Sequence, residues 1–321
     1  MDRRGGWDLL GVTTGAFFVT MVARLAPSPL VPDIIDTFSV STGTVGLALS
    51  GMWAAYALFQ FPGGVVADRI GQRRVILLAM GGITATSLLL ASSPSIVVFA
   101  VAAVTLGASA GLYFTAGTSF LADQFENTGR ALGIHEIGAS GAGLVAPVAS
   151  AAVAVRFGWR AGISFVLPAF VLLGYALWRT VPESPGSRSG ASPGTPRQVA
   201  SRLNAGLRDW TVFLLAGAST LMVFVYQGFT AFLPLYLVTV KGIGPPTAAM
   251  LFGLFFATGA LVQPLAGYLS DRVGKRGVLV SLTLVHVFAL VALPFAGSLV
   301  SVSALVVVLA ASMMVAAPVS A

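Results

Sequence analysis

The chain has 321 residues, 56% of them hydrophobic and only 9% charged. Water-facing domains carry about 25% charged residues, so a soluble fold is excluded. The formal net charge of +7 sits in basic residues flanking apolar segments, which argues for membrane topology rather than nucleic acid; no cysteine and two histidines leave no disulfide framework and no His-built metal site.

About 20 apolar residues cross a bilayer. On that ruler ten helices are expected, over 9–32, 43–67, 75–92, 96–119, 131–154, 161–181, 210–239, 246–268, 278–296 and 299–320, giving an all-α polytopic membrane protein. The first follows Asp2, Arg3 and Arg4, but it is too long for a signal peptide, lacks a small-x-small cleavage site and contains Arg24, so it reads as a retained span. The turns Ser92–Ser95 and Gly297–Ser298 are short, which makes their neighbours antiparallel hairpins. Residues 182–209 (PESPGSRSGASPGTPRQVASRLNAGLRD) are rich in Pro, Gly, Ser and Arg and read as a flexible linker. The chain thus divides into a six-helix unit over 1–181, a cytoplasmic linker over 182–209 and a four-helix unit over 210–321.

Two of the junctions are copies. Residues 64–74 read GVVADRIGQRR and residues 267–277 read GYLSDRVGKRG, 203 positions apart without a gap. Both fit Gly-x-x-x-Asp-Arg-x-Gly-x-(Arg/Lys), so the chain is built from two related halves, as secondary transporters are. With the N-terminus in the cytoplasm, Arg3, Arg4, Arg69, Arg73, Arg74, Arg130, Arg179, Arg188, Arg197, Arg202, Arg208, Arg272, Lys275 and Arg276 fall on the cytoplasmic side. Only Arg156, Arg160 and Lys241 fall outside. That positive-inside bias fixes the orientation in a cell (inner or plasma) membrane. The same offset predicts that the second half should end about residue 385, so two helices equivalent to 131–154 and 161–181 are expected to be missing, as in a truncated product or a fragment.

With these repeats the chain resembles the major facilitator superfamily, and is closest in feel to its anion:cation symporter and organophosphate antiporter branches. Supporting pieces are Arg130 opening the fifth helix, Gly158-Trp159-Arg160 before the sixth and Pro182-Glu183-Ser184 closing it. The resemblance implies two bundles around a midplane cavity, here a six-helix bundle plus an incomplete four-helix one, and alternating access. It implies a gating role for Gly64, Asp68, Arg69, Gly71, Arg73 and Arg74, and for Gly267, Asp271, Arg272, Gly274, Lys275 and Arg276. In that reading Asp68 would face an eleventh helix, and Asp271 would face the start of the fifth near Thr128, Gly129 and Arg130.

Arg24 is the sharpest clue to substrate. It lies about 13 Å from Asp33 along the first helix at ~1.5 Å per residue. An arginine at that depth costs about 2.5–3.5 kcal/mol on insertion scales, so it must face a wet cavity or a partner. Its mirror under the 203 offset is Gln227, beside Tyr226 in the seventh helix. Arg24, Tyr226 and Gln227 form the candidate substrate site, suited to an anion because a guanidinium grips carboxylate or phosphate in two places. The spacing from Arg24 to Pro32 resembles the first helix of the anion branches; Gln227 stands where organophosphate antiporters have a second arginine, and Ala23 where symporters often have an aspartate. The alternative is an arginine satisfied by backbone carbonyls freed at Pro27, Pro29 and Pro32.

Glu136, next to His135, is the only acid well inside an apolar segment, about 9 Å from Arg130 along the helix, and is a candidate for proton coupling; the alternative is that it reaches the cytoplasmic interface or pairs with a base such as Arg130. His286 reads as a packed histidine, and Gln60 and Gln263 as mirrored interhelical donors. GASAG at 107–111 and GASGAGLVAP at 138–147 read as close-packing segments. Ala103 and Ala146 depart from the proton-coupled drug exporters, which weighs against that class.

The expected function is secondary active transport of a small anionic organic solute. Within the class, a multidrug or neutral-solute exporter is the alternative; from another class, a non-transporting membrane remnant or interaction protein. No His-Glu-x-x-His pattern or triad is evident, so an enzyme is not expected. The implied partners are the substrate, the lipid bilayer and a coupling ion, proton or sodium; the chain is expected to act as a monomer, with no cofactor, metal or nucleic acid.

Overall fold

A computed structural model describes residues 3–182, 210–273 and 275–320. The regular structure of the described residues is helical, with α-helices in the order α1 (Arg3–Leu25), α2 (Val31–Phe38), α3 (Thr42–Ile70), α4 (Gln72–Ala91), α5 (Ile96–Gln124), α6 (Thr128–Phe157), α7 (Trp159–Ser164), α8 (Leu167–Thr180), α9 (Trp210–Thr239), α10 (Pro245–Val273), α11 (Lys275–Ala292) and α12 (Leu299–Ser320). Among these residues six helical stretches are long and apolar enough to cross a membrane. Large apolar side chains such as Leu47, Leu78 and Phe288 stand exposed, as they do where lipid is the solvent.

The ends of the helices follow from local chemistry. Ser41, Ser95 and Asn127 cap α3, α5 and α6 by accepting the N–H of Thr44, Val98 and Arg130. Gly71 ends α3 at φ 93° and Gly158 ends α6 at φ 82°, a region that L side chains rarely adopt. The first span is three pieces rather than one helix: α1 stops before Pro27, Ser28–Leu30 form a 3₁₀ turn, and α2 carries on to Phe38. The sixth span is likewise split, into α7 and α8, ahead of Pro168. Most helices run several residues past the expected bounds, because Asp68, Arg69, Asp123 and Gln124 belong to the last helical turns.

Small residues set the packing. A Cβ on Gly107 would lie 1.9 Å from the Met52 carbonyl oxygen, and one on Gly111 would lie 2.4 Å from that of Tyr56. These two glycines, four apart on one face of α5, let α5 lie backbone against backbone on α3. Gly138 does the same for α6 on α1, where a Cβ would meet the Thr14 carbonyl at 2.6 Å. Around these seams sit the buried Phe99, Tyr113, Phe120 and Ile83.

The two halves touch along α6 and α10, and where the 3₁₀ turn of the first span meets α9. A Cβ on Gly143 would run into the ring of Phe256, and one on Gly46 would come within 2.7 Å of Phe232. Ser28 donates its hydroxyl to the Thr230 and Ala231 carbonyls, each at 2.8 Å. These contacts reach from mid-depth to the end opposite the α3–α4 turn.

Candidate functional site

Arg24 closes the last turn of α1, just before the proline break. It is 2% exposed. Its guanidinium carbon lies 4.0 Å from the ring centre of Tyr56 and 5.0 Å from that of Trp53, both on α3. Nη2 touches the Met21 thioether, a weak acceptor. Nε and Nη1 have no hydrogen-bond partner among the described residues. The carbonyls around Pro27, Pro29 and Pro32 do not satisfy it. The charge is therefore held chiefly against the Tyr56 and Trp53 rings, with Nε and Nη1 short of acceptors among the described residues.

These contacts are all to the first half; Glu136 on α6 and Tyr226 on α9 are within electrostatic range of the guanidinium. Glu136 is exposed, and it is not paired with Arg130, whose guanidinium lies over Trp7 at 5.4 Å. Gln227 is half-buried and accepts from the Thr230 hydroxyl at 3.4 Å. Rings continue on both sides of Arg24. Tyr56 meets Phe114 edge-on at 6.1 Å, and Tyr226 and Phe229 pack on Phe255 at 6.4 and 5.2 Å.

His135 parts company with its neighbour. It is fully buried, stacked on Phe17 at 4.5 Å, and neither ring nitrogen has a partner among the described residues. One residue is 100° of helical turn, so Glu136 is exposed while His135 packs into the α1–α5–α6 core. His286 bonds the Ser312 hydroxyl through Nδ1 at 3.1 Å, a side-chain partner rather than a backbone one.

The first charged turn is tied to its own half. Gln72, buried, donates to the Asp123 carboxylate at 2.8 Å, and Arg73 donates to the Trp178 carbonyl at 2.6 Å. Gly64 lies against Thr115, and Asp68, Arg69 and Arg74 are exposed. In the second copy, Gly274 and the side chains of Gln263, Asp271, Arg272, Lys275 and Arg276, with the surroundings of Gly267, lie outside the described residues. A cavity of about 400 Å³ opens at the same end, between Trp7 on α1 and Asn127 and Arg130 at the start of α6. Among the described residues no group of three His, Cys, Asp or Glu side chains is placed to hold a metal.

Trp53, Tyr56 and Ser28 were not singled out from the sequence. For the two aromatics no local signal exists, since a ring in an apolar span looks the same whether it faces lipid or a charge. For Ser28 a signal stood on the opposite helix: Pro234 has no N–H to give the Thr230 carbonyl four residues before it.

The family model described as Major Facilitator Superfamily matches residues 13–321. The chain is 26% identical over 314 residues to a hexuronate transporter of Bacillus subtilis (strain 168), an alignment covering 92% of this chain and 73% of that one. It is 28% identical over 291 residues to a probable nitrate/nitrite antiporter, NarK1, of Thermus thermophilus, covering 87% of this chain and 64% of that one. The solved structure of a bacterial homolog to the human lysosomal transporter Spinster superposes with a TM-score of 0.83 at 20% identity, over 100% of this chain and 75% of that one.

Proposed function

Because the chain belongs to the Major Facilitator Superfamily, we propose that it moves a small organic anion across a membrane by alternating access, with Arg24 as the cationic pole of its binding site. One observation carries this reading. A guanidinium is buried against Met21, Trp53 and Tyr56, four residues before the turn that meets α9, with two of its three nitrogens unpartnered among the described residues. A charge left short of acceptors in a low-dielectric site is costly unless something supplies them. A carboxylate supplies two acceptors in the geometry a guanidinium prefers. The relatives named for hexuronate and for nitrate and nitrite also handle anions.

The remaining roles follow from this pole. Tyr226 and Gln227 face the anion from the second half, and Glu136 serves as a proton carrier whose carboxylate competes with substrate for Arg24. The basic end faces the cytoplasm of a cell membrane, as the positive-inside bias favours. The units 1–181 and 210–321 rock about the substrate, joined by 182–209, and the two charged turns brace the alternate states. The contacts of Ser28, Gly46 and Gly143 with the second half support a state closed at the outer end.

The test is uptake into proteoliposomes of a panel of organic anions by wild type, Arg24→Gln and Arg24→Lys. Loss of all anion uptake in Arg24→Gln, with partial retention in Arg24→Lys, is expected. Undiminished anion uptake by Arg24→Gln would remove the pole and the reading with it.

A further inference from the structure

The surroundings of Arg24 narrow the class of anion. The charge lies over two rings, and more rings extend that surface on either side. On the first half, Trp53 and Tyr56 meet edge-on at 5.9 Å, and Tyr56 meets Phe114 at 6.1 Å. On the second half, Tyr226 and Phe229 both contact Phe255. Trp53, Tyr56, Phe114, Tyr226 and Phe229 are each partly exposed. Among the described side chains of α9, Gln227 and Thr230 follow Tyr226, and they bond each other.

A polyhydroxylated acid would enter such a site with hydroxyls that need partners, and each one buried without a partner weakens binding. A small inorganic anion would use Arg24 and leave the ring surface idle. A flat apolar body uses it, by offset and edge-on stacking. Resting on the anion reading above, we propose that the ligand is an aromatic monocarboxylate, its carboxylate on the edge of Arg24 and its ring among Trp53, Tyr56 and Phe114. Tyr56 then has two tasks: it holds the guanidinium from one face and stacks on the ligand ring.

The test is calorimetric titration of the purified full chain with benzoate, glucuronate, nitrate and benzyl alcohol, repeated with Arg24→Gln and Tyr56→Leu. Benzoate is expected to bind about tenfold or more tighter than glucuronate, nitrate or benzyl alcohol. Arg24→Gln is expected to lose benzoate binding. Tyr56→Leu removes both the stacking ring and one face of the support for Arg24, so it is expected to weaken benzoate by about fivefold or more and glucuronate by a smaller factor. Trp53→Leu replaces Tyr56→Leu if the latter does not yield folded protein; the ranking on wild type needs neither. If glucuronate or nitrate binds as tightly as benzoate and Arg24→Gln loses it, the aromatic assignment is overturned while the anion site stands. If benzyl alcohol matches benzoate, or Arg24→Gln binds all four ligands as wild type does, the anion site fails and takes this assignment with it.

Discussion

Ser28 and Ala231 occupy the same place in the two halves, 203 residues apart, and they touch: the Ser28 hydroxyl lies 2.8 Å from the Ala231 carbonyl oxygen. The contact lies where the 3₁₀ turn of the first span meets α9. The same hydroxyl lies 2.8 Å from the Thr230 carbonyl, the one left without a helical donor by Pro234. One side chain of the first half thus completes the backbone hydrogen bonding of the second.

Removing that hydroxyl should favour opening of the outer end. Ser28→Ala leaves a buried carbonyl short of a donor in the closed state, at about 1–2 kcal/mol, a shift of about tenfold in the two populations. The chain has no cysteine, so spin labels on Gly43→Cys and Gly244→Cys can report the outer gap without background. A larger long-distance fraction in Ser28→Ala is expected. In a Pro234→Ala background, where residue 234 regains its N–H, the same substitution should have most of its effect removed. Equal effects in both backgrounds would show that the Thr230 carbonyl is not the group being served.

Arg24 should lower stability in exchange for binding. Its charge is desolvated and short of acceptors; even buried ion pairs are often replaced by apolar residues with a gain of about 1–4 kcal/mol, and a charge with no ion partner among the described residues has less to lose. Arg24→Met, similar in length, should therefore raise the melting temperature of the ligand-free protein while abolishing anion binding. A lower melting temperature would mean that a further partner satisfies the guanidinium.

The α3–α5 seam tolerates no side chain at Gly107. A methyl there meets backbone, the carbonyl of Met52, and neither helix can yield locally. Gly107→Ala should destabilise by about 1–3 kcal/mol or prevent folding. Gly81→Ala on α4 has nothing within 4 Å of its new methyl and should be neutral or slightly stabilising, from helix propensity. Thermal unfolding in detergent, with monodispersity as a second readout, separates the two. Equal behaviour would deny the close approach of α3 and α5.

Some of this was legible and some was not, for physical reasons. The duplicated Asp-Arg turns and the ten apolar segments announce the fold, because a bilayer enforces segment length and charge asymmetry. Arg24 announces itself by cost, and Gly107 and Gly111 by their spacing of four. Helix ends were set short, since an apolar ruler stops at the first charge whereas the backbone continues through Asp68 and Arg69 to Gly71. The rings around Arg24 were not legible: Trp53 and Tyr56 lie 29 and 32 residues away, and nothing local distinguishes them from lipid-facing aromatics. Likewise, α6 has no single apolar face, so no periodicity tells which of His135 and Glu136 is buried.

That last pair yields a separable prediction. His135 has no exposed surface, lies parallel to Phe17 at 13°, and offers two ring nitrogens without partners among the described residues. Burying an unbonded polar group costs about 1–3 kcal/mol on mutational scales. Phenylalanine keeps the flat shape and the stack while removing that deficit. His135→Phe should therefore hold or raise stability by about 1 kcal/mol and leave uptake and its pH profile as in wild type. Glu136 is exposed and within reach of the Arg24 charge. Glu136→Gln should leave stability nearly unchanged and flatten the pH dependence of anion uptake, because the carboxylate that competes for Arg24 no longer titrates. Uptake measured across pH with both variants assigns the roles. A flattened profile in His135→Phe, with Glu136→Gln like wild type, would reverse them and place the coupling proton in the aromatic core.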